Sequence, residues 1–128
     1  QPIAIVEKRF GWFRSQAYYV CEYEGAADAL SKKFLDSGLT EIQLEDFKQL
    51  FISMFYAKMT HGDFKANNIL VTDNGLSLID LDAMKFHSST TAFDKAYSRD
   101  LKRLIKNWPQ DSKIYQQLVE LINSLAKV

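Results

Sequence analysis

Cysteine, proline and glycine are scarce in this sequence. A single cysteine, Cys21, excludes an internal disulfide, and its setting in Ala-Tyr-Tyr-Val-Cys-Glu-Tyr is that of a buried thiol in a strand, consistent with a reducing cytoplasm. Two prolines and five glycines leave few forced breaks, so periodic segments can run uninterrupted. Neither charge sign is in excess, with 16 basic and 16 acidic residues and a net charge of +0, which argues against a nucleic-acid surface or a polyanion-binding tail. No apolar run approaches the roughly 20 residues of a membrane span, and no signal-peptide pattern is present. Internal repeats, low-complexity segments and linkers are also missing.

What is abundant is core material. The chain has 128 residues, 47% of them hydrophobic, with nine Phe, six Tyr and two Trp, enough to bury one core and too little for two, so a single domain is expected. Ile3 to Arg9 and Ala17 to Tyr23 read as strands of an opening hairpin, joined around Gly11 to Ser15. Ala26 to Ser37 reads as a helix with Gly38 as its left-handed cap. Thr40 and Gln43 form a capping-box pattern, with Leu39 and Leu44 as the staple, at the start of a helix reaching about Met59. Its apolar stripe is Leu44, Phe47, Phe51, Met54 and Phe55. A further helix starts near Thr90 or Thr91, presents Phe93, Tyr97, Leu101, Leu104 and Trp108, and stops at Pro109. The last, capped near Asp111 or Ser112, buries Ile114, Leu118, Leu121, Ile122 and Leu125.

Polar residues concentrate in one stretch, His61 to Asp82, where Asp63, Lys65, Asn68, Asp80 and Asp82 surround two short apolar runs, Ile69 to Thr72 and Leu76 to Ile79. Asp73-Asn74-Gly75 between the runs is hairpin punctuation and folds Asp80 back toward Asn68. A two-residue Asn74-Gly75 loop sets Asn68 opposite Leu81; a three-residue loop with Gly75 left-handed sets Asn68 opposite Asp80. The second register is expected, because a shared cation needs both ligands on one side. Magnesium takes oxygen ligands, keeps several waters and uses one or two carboxylates while bridging nucleotide phosphates, a minimal set that Asp80 and Asn68 supply. Asp63 can accept the proton of an attacking hydroxyl, and Lys65 can neutralise charge on a transferred phosphoryl group.

These residues also carry a resemblance. His61-Gly62-Asp63 with Lys65 and Asn68, followed by Leu78-Ile79-Asp80, resembles the catalytic loop and metal-binding Asp of the protein-kinase-like fold. Gly62 stands where regulated protein kinases have Arg, and Leu81-Asp82 replaces Phe-Gly. With those departures the pattern is similar to the lipopolysaccharide-core kinases that phosphorylate Kdo or heptose; aminoglycoside and choline kinases have a more distantly similar loop. The resemblance is good from Tyr18 to Met84 and looser elsewhere.

The resemblance implies an α+β fold, mainly a helical C-terminal lobe (26–128), with an N-terminal hairpin and hinge (1–25) and a catalytic-loop hairpin. It implies Asp63 and Lys65 at the chemistry, Asn68 and Asp80 on magnesium with Asp82 as an auxiliary ligand, and backbone groups of Glu22, Tyr23 and Glu24 around the adenine of ATP. The acceptor is then a small molecule or glycolipid, reached in the cytoplasm or through peripheral association with the inner membrane. The bland readings stand beside these: Lys65 and Asp82 as surface charges, the 22–24 segment as a strand end, His61 as a brace for the loop. Asp100 either pairs with Arg103 one turn along its helix or, by resemblance, anchors the loop backbone. Ala83 to Ser89 is too short for a long activation segment, which argues against a protein substrate. A glycine-rich phosphate cover and a strand Lys are missing upstream of Ile3, and the chain starts at Gln1, so a C-terminal-lobe fragment with poor nucleotide affinity is expected. A non-catalytic kinase-like binding module is the alternative of another class.

Overall fold

The computed structural model describes the backbone of residues 2–10, 13–21, 28–30, 37–72 and 75–125, and the side chains of residue 30 and of 37–72 and 75–125. Within these limits the protein is α+β, with three helices and small antiparallel sheets, an architecture compatible with a kinase-like C-terminal lobe. Strands β1 (Pro2–Phe10) and β2 (Phe13–Cys21) form the opening hairpin, paired from Pro2↔Cys21 to Phe10↔Phe13. The strands run closer together than the sequence suggested, so the connection shortens to residues 11 and 12. Tyr23 and the proposed hinge at Glu22, Tyr23 and Glu24 lie outside the described residues.

The helix expected from Ala26 is corrected at its start. Asp28 and Ala29 form a short strand, β3, paired with Val71 and Leu70, and helical backbone begins no earlier than Leu30. The sheet edge of the later hairpin takes these backbone groups before the helical pattern can; the rest of that segment, 31–36, lies outside the described residues. Gly38 has the left-handed φ, +69°, expected of a C-terminal cap.

Helix α1 (Glu41–Tyr56) starts at the predicted capping box: Thr40 Oγ1 accepts from Gln43 N, and the Gln43 side chain accepts from Thr40 N at 2.9 Å. Phe47, Phe51 and Met54 of its stripe are fully buried, whereas Phe55, expected with them, is half-exposed and instead meets the rings of Phe93 and Tyr97 at its edge. The helix ends at Tyr56 rather than near Met59, because Lys58 takes a left-handed φ of 47° and turns the chain into a strand. That strand, β4 (Met59–Thr60), is the entry to the polar stretch.

Helix α2 (Thr90–Ile105) is capped by Ser89 and closes before Pro109. The Asn107 side-chain amide donates to the carbonyls of Arg103 and Leu104, so the final turn is satisfied without continuing to the proline. Helix α3 (Lys113–Leu125) buries Ile114 and Leu118 completely, with Leu121, Ile122 and Leu125 packed at the margin. Tyr97 ties α2 to α1 through a 2.9 Å bond from its hydroxyl to Phe51 O; burial, with Asp100 nearby, pushes its hydroxyl up to about 12. The core joins all three helices to Phe64, Ala66 and Ile69 of the polar stretch, so the candidate site is built onto packed interior rather than hung from it.

Candidate functional site

The polar stretch is held between two short antiparallel pairings. Strand β4 pairs with β7 (Lys85–Phe86), and β5 (Ile69–Thr72) pairs with β6 (Gly75–Leu78). Phe64 anchors the loop between them: it is fully buried, edge-on to Phe51 at 6.3 Å and stacked on the His61 ring at 5.8 Å. A short 3₁₀ turn, Ala66–Asn68, then feeds the hairpin.

His61 is fully buried, and its ring serves as a brace. Nδ1 accepts from the Asp63 amide at 3.4 Å, which makes Nε2 the donor to Ile79 O at 2.9 Å. One imidazole thus links the loop to Ile79, the residue just after β6. Asp100, also buried, settles the two readings left open for it: Oδ2 accepts from His61 N at 2.7 Å and from Gly62 N at 3.1 Å, and Oδ1 from Gly62 N at 3.2 Å. The helix carboxylate holds the loop backbone, and Arg103 is free to point elsewhere.

Gly62 is required at its position. Its φ is +82°, and a Cβ there would stand 2.5 Å from Ala83 O. The loop is therefore pressed directly against the segment that follows Asp80.

Asp63 carries three side-chain contacts. Lys65 Nζ donates to Oδ2 at 2.7 Å, Asn68 Nδ2 approaches the same oxygen at 3.4 Å, and Arg103 Nη2 lies 2.6 Å from Oδ1. The Lys65 hydrogen bond, with the charges of Arg103 and Lys65 and the Asn68 amide, outweighs partial desolvation and holds the Asp63 carboxyl below the usual carboxylate range. Arg103 is a residue that sequence reasoning missed: a cation one turn after Asp100 reads as its i,i+3 partner, and only the fold shows that Asp100 is already spent on the loop.

Asn68 is buried, and its amide nitrogen is committed to Asp63 O at 2.9 Å as well as to the carboxylate. The amide oxygen is then the atom left for a ligand, the donor type a hard cation takes. Its position relative to Asp80 differs from the expected register. Thr72 pairs with Gly75 and Ile69 with Leu78, and Ile79 N donates to Asn68 O at 3.0 Å, so Asn68 stands opposite Ile79, not Asp80. The cause is a turn closed one residue earlier, with Thr72 Oγ1 bonded to Gly75 O at 2.9 Å; Asp73 and Asn74 themselves lie outside the described residues.

Strand geometry ends at that point. Asp80 has φ 58° and ψ 58°, a left-handed conformation that an Asp tolerates better than most residues, and it opens a second 3₁₀ turn, Leu81–Ala83. The strict alternation that would set Asp80 against Asn68's opposite face is broken there. Asp80 and Asp82 are both exposed, and no cluster of three or more acidic, His or Cys side chains occurs among the described residues. A concave region of about 840 Å³ lies elsewhere, between the three helices, lined by Phe51, Phe55, Tyr97 and Ile122 among others; none of the candidate residues faces it.

A His-Gly-Asp loop anchored by a buried His61 and fixed by a helix carboxylate, with an amide five residues on and a carboxylate beyond a returning hairpin, fits a kinase-like centre. The chain matches the model of the lipopolysaccharide kinase (Kdo/WaaP) family over residues 1–123 and belongs to that family. A search of curated proteins found no match. No helix among the described residues is long and apolar enough to cross a membrane.

Proposed function

We propose that this chain carries the catalytic half of an ATP- and magnesium-dependent phosphotransferase whose acceptor is a sugar hydroxyl of the lipopolysaccharide core. Family membership supports a kinase acting on such an acceptor. The observation that carries the residue-level reading is the double tether of the His61–Asn68 loop: Asp100 fixes its backbone and Phe64 sinks it in the core, so Asp63, Lys65 and Asn68 are held together without a ligand.

In this reading Asp63 orients the acceptor hydroxyl and takes its proton, and Lys65 balances charge on the phosphoryl group in flight. Asn68 and Asp80 would hold magnesium, with Asp82 in support; the amide oxygen of Asn68, which accepts no hydrogen bond among the described residues, and the solvent-facing Asp80 fit a cation that retains several waters. Bound magnesium would neutralise the nucleotide phosphates and draw charge toward the leaving oxygen. Glu22, Tyr23 and Glu24 would meet the adenine. Residues 1–128 would form one kinase-like unit, 1–25 being the last strands before the hinge, working at the cytoplasmic face of the inner membrane where a glycolipid acceptor is presented.

Magnesium-dependent ATP consumption by the full-length protein, measured with lipopolysaccharide-core acceptors, tests this. Asp63→Ala is expected to remove it, and wild-type turnover in that variant would eliminate the proposal.

A further inference from the structure

The two oxygens of Asp63 are not held alike. Oδ2 accepts a 2.7 Å hydrogen bond from Lys65. Oδ1 is buried and has no hydrogen bond among the described residues, although Arg103 Nη2 stands 2.6 Å away: the guanidinium covers this oxygen as an ion pair without an aligned N–H···O. Meanwhile 56% of the Arg103 side chain is exposed, against 25% of that of Asp63. Arg103 rides on α2 one turn after Asp100, so the helix that fixes the loop also carries the cover.

On the phosphotransfer reading, on which this inference rests, an acceptor hydroxyl must come within hydrogen-bond reach of Asp63. The oxygen with an unspent lone pair is Oδ1, and it lies beneath Arg103. A hydroxyl reaches it only when the guanidinium moves aside. That displacement gives up an ion pair, and a neutral acceptor returns nothing for it. An acceptor bearing an anionic oxygen near its reacting hydroxyl does, because a guanidinium's planar fork of donors matches carboxylate or phosphate.

We propose that Arg103 is the acceptor-selecting residue: its guanidinium shields Asp63 Oδ1 in the free protein and shifts onto an anionic oxygen of the acceptor as the acceptor's hydroxyl takes its place. In the ensuing transfer the acceptor oxygen forms its bond to the γ-phosphorus, the bond from that phosphorus to the ADP oxygen breaks, and the hydroxyl proton passes to Asp63.

The test uses the full-length protein with two matched pairs of acceptors: a sugar acid and its methyl ester, and a sugar monophosphate and its unphosphorylated parent. Transfer from ATP is followed for wild type, Arg103→Gln and Arg103→Lys, with thermal melting to establish that each variant folds. For at least one pair, wild type is expected to prefer the anionic member, and Arg103→Gln to cut that preference about 10- to 100-fold, mainly through KM, with partial recovery in Arg103→Lys. The responding pair identifies whether carboxylate or phosphate is read. If Arg103→Gln lowers kcat equally for anionic and neutral acceptors, or leaves both preferences where they were, the inference is overturned while phosphotransfer stands. If wild type transfers to none of the acceptors, the phosphotransfer reading fails and takes the inference with it.

Discussion

The two arms of the site, 61–68 and 80–84, are built on opposite principles. In the first, His61, Phe64, Ala66 and Asn68 are buried, the backbone amides donate to a helix carboxylate and to the His61 ring, and that ring and the Asn68 carbonyl bond the backbone of Ile79. In the second, residues 80–83 are exposed, Asp80 sits in a left-handed conformation, and among the described residues Leu81–Ala83 is held by one short 3₁₀ bond, Met84 N to Leu81 O. On the proposed reading the contrast divides the labour: the arm with the proposed base is assembled by the fold, and the arm with the proposed metal carboxylate would be left for nucleotide and cation to complete. Gly62 is where they touch.

The sharpest way to break the contrast is to cut the first arm's tether. Asp100→Ala leaves the buried His61 amide and the part-buried Gly62 amide without their acceptor, with an expected loss of about 3 kcal/mol in urea unfolding. A loss under about 1 kcal/mol would mean the loop holds itself. Gly62→Ala comes next. It strains a φ of +82° and drives a methyl into Ala83 O, so the arms must separate, at about 2 kcal/mol of stability by the same measurement. An unchanged melt would show that the second arm simply gives way. The smallest effect is electrostatic. Because the Asp63 carboxyl is held below its ordinary range, its ion pair with Lys65 stabilises the folded state above the unfolded-state carboxylate pKa, and this contribution fades as pH falls through the folded value. Lys65→Met should therefore move the acid limb of the Asp63 titration, followed by carboxyl NMR, upward toward ordinary values.

Much of this was legible in the residues. The capping box, the apolar stripes of the helices and the spacing of Asp63, Lys65 and Asn68 are local patterns, and local patterns survive folding. Three things were not. The register at Asn68 depends on whether Gly75 closes or follows the turn, a difference of one residue that composition does not decide. The strand at Asp28 and Ala29 exists because a sheet edge distant in sequence accepts it, which overrides the helical spacing around it. Whether Asp100 pairs with Arg103 or anchors the loop stayed open, and Arg103 went unconnected to Asp63, because nothing in one turn of sequence reveals that Asp100 faces inward and Arg103 faces the carboxylate across the loop.

Amide hydrogen exchange on the full-length protein, with and without ATP and magnesium, tests the division most directly. The account predicts slow exchange at His61 and Gly62 in both conditions, and fast exchange at Leu81, Asp82 and Ala83 that slows when nucleotide and metal are added. Fast exchange at His61 and Gly62 in the free protein, or no response at 81–83 to the ligands, would contradict it.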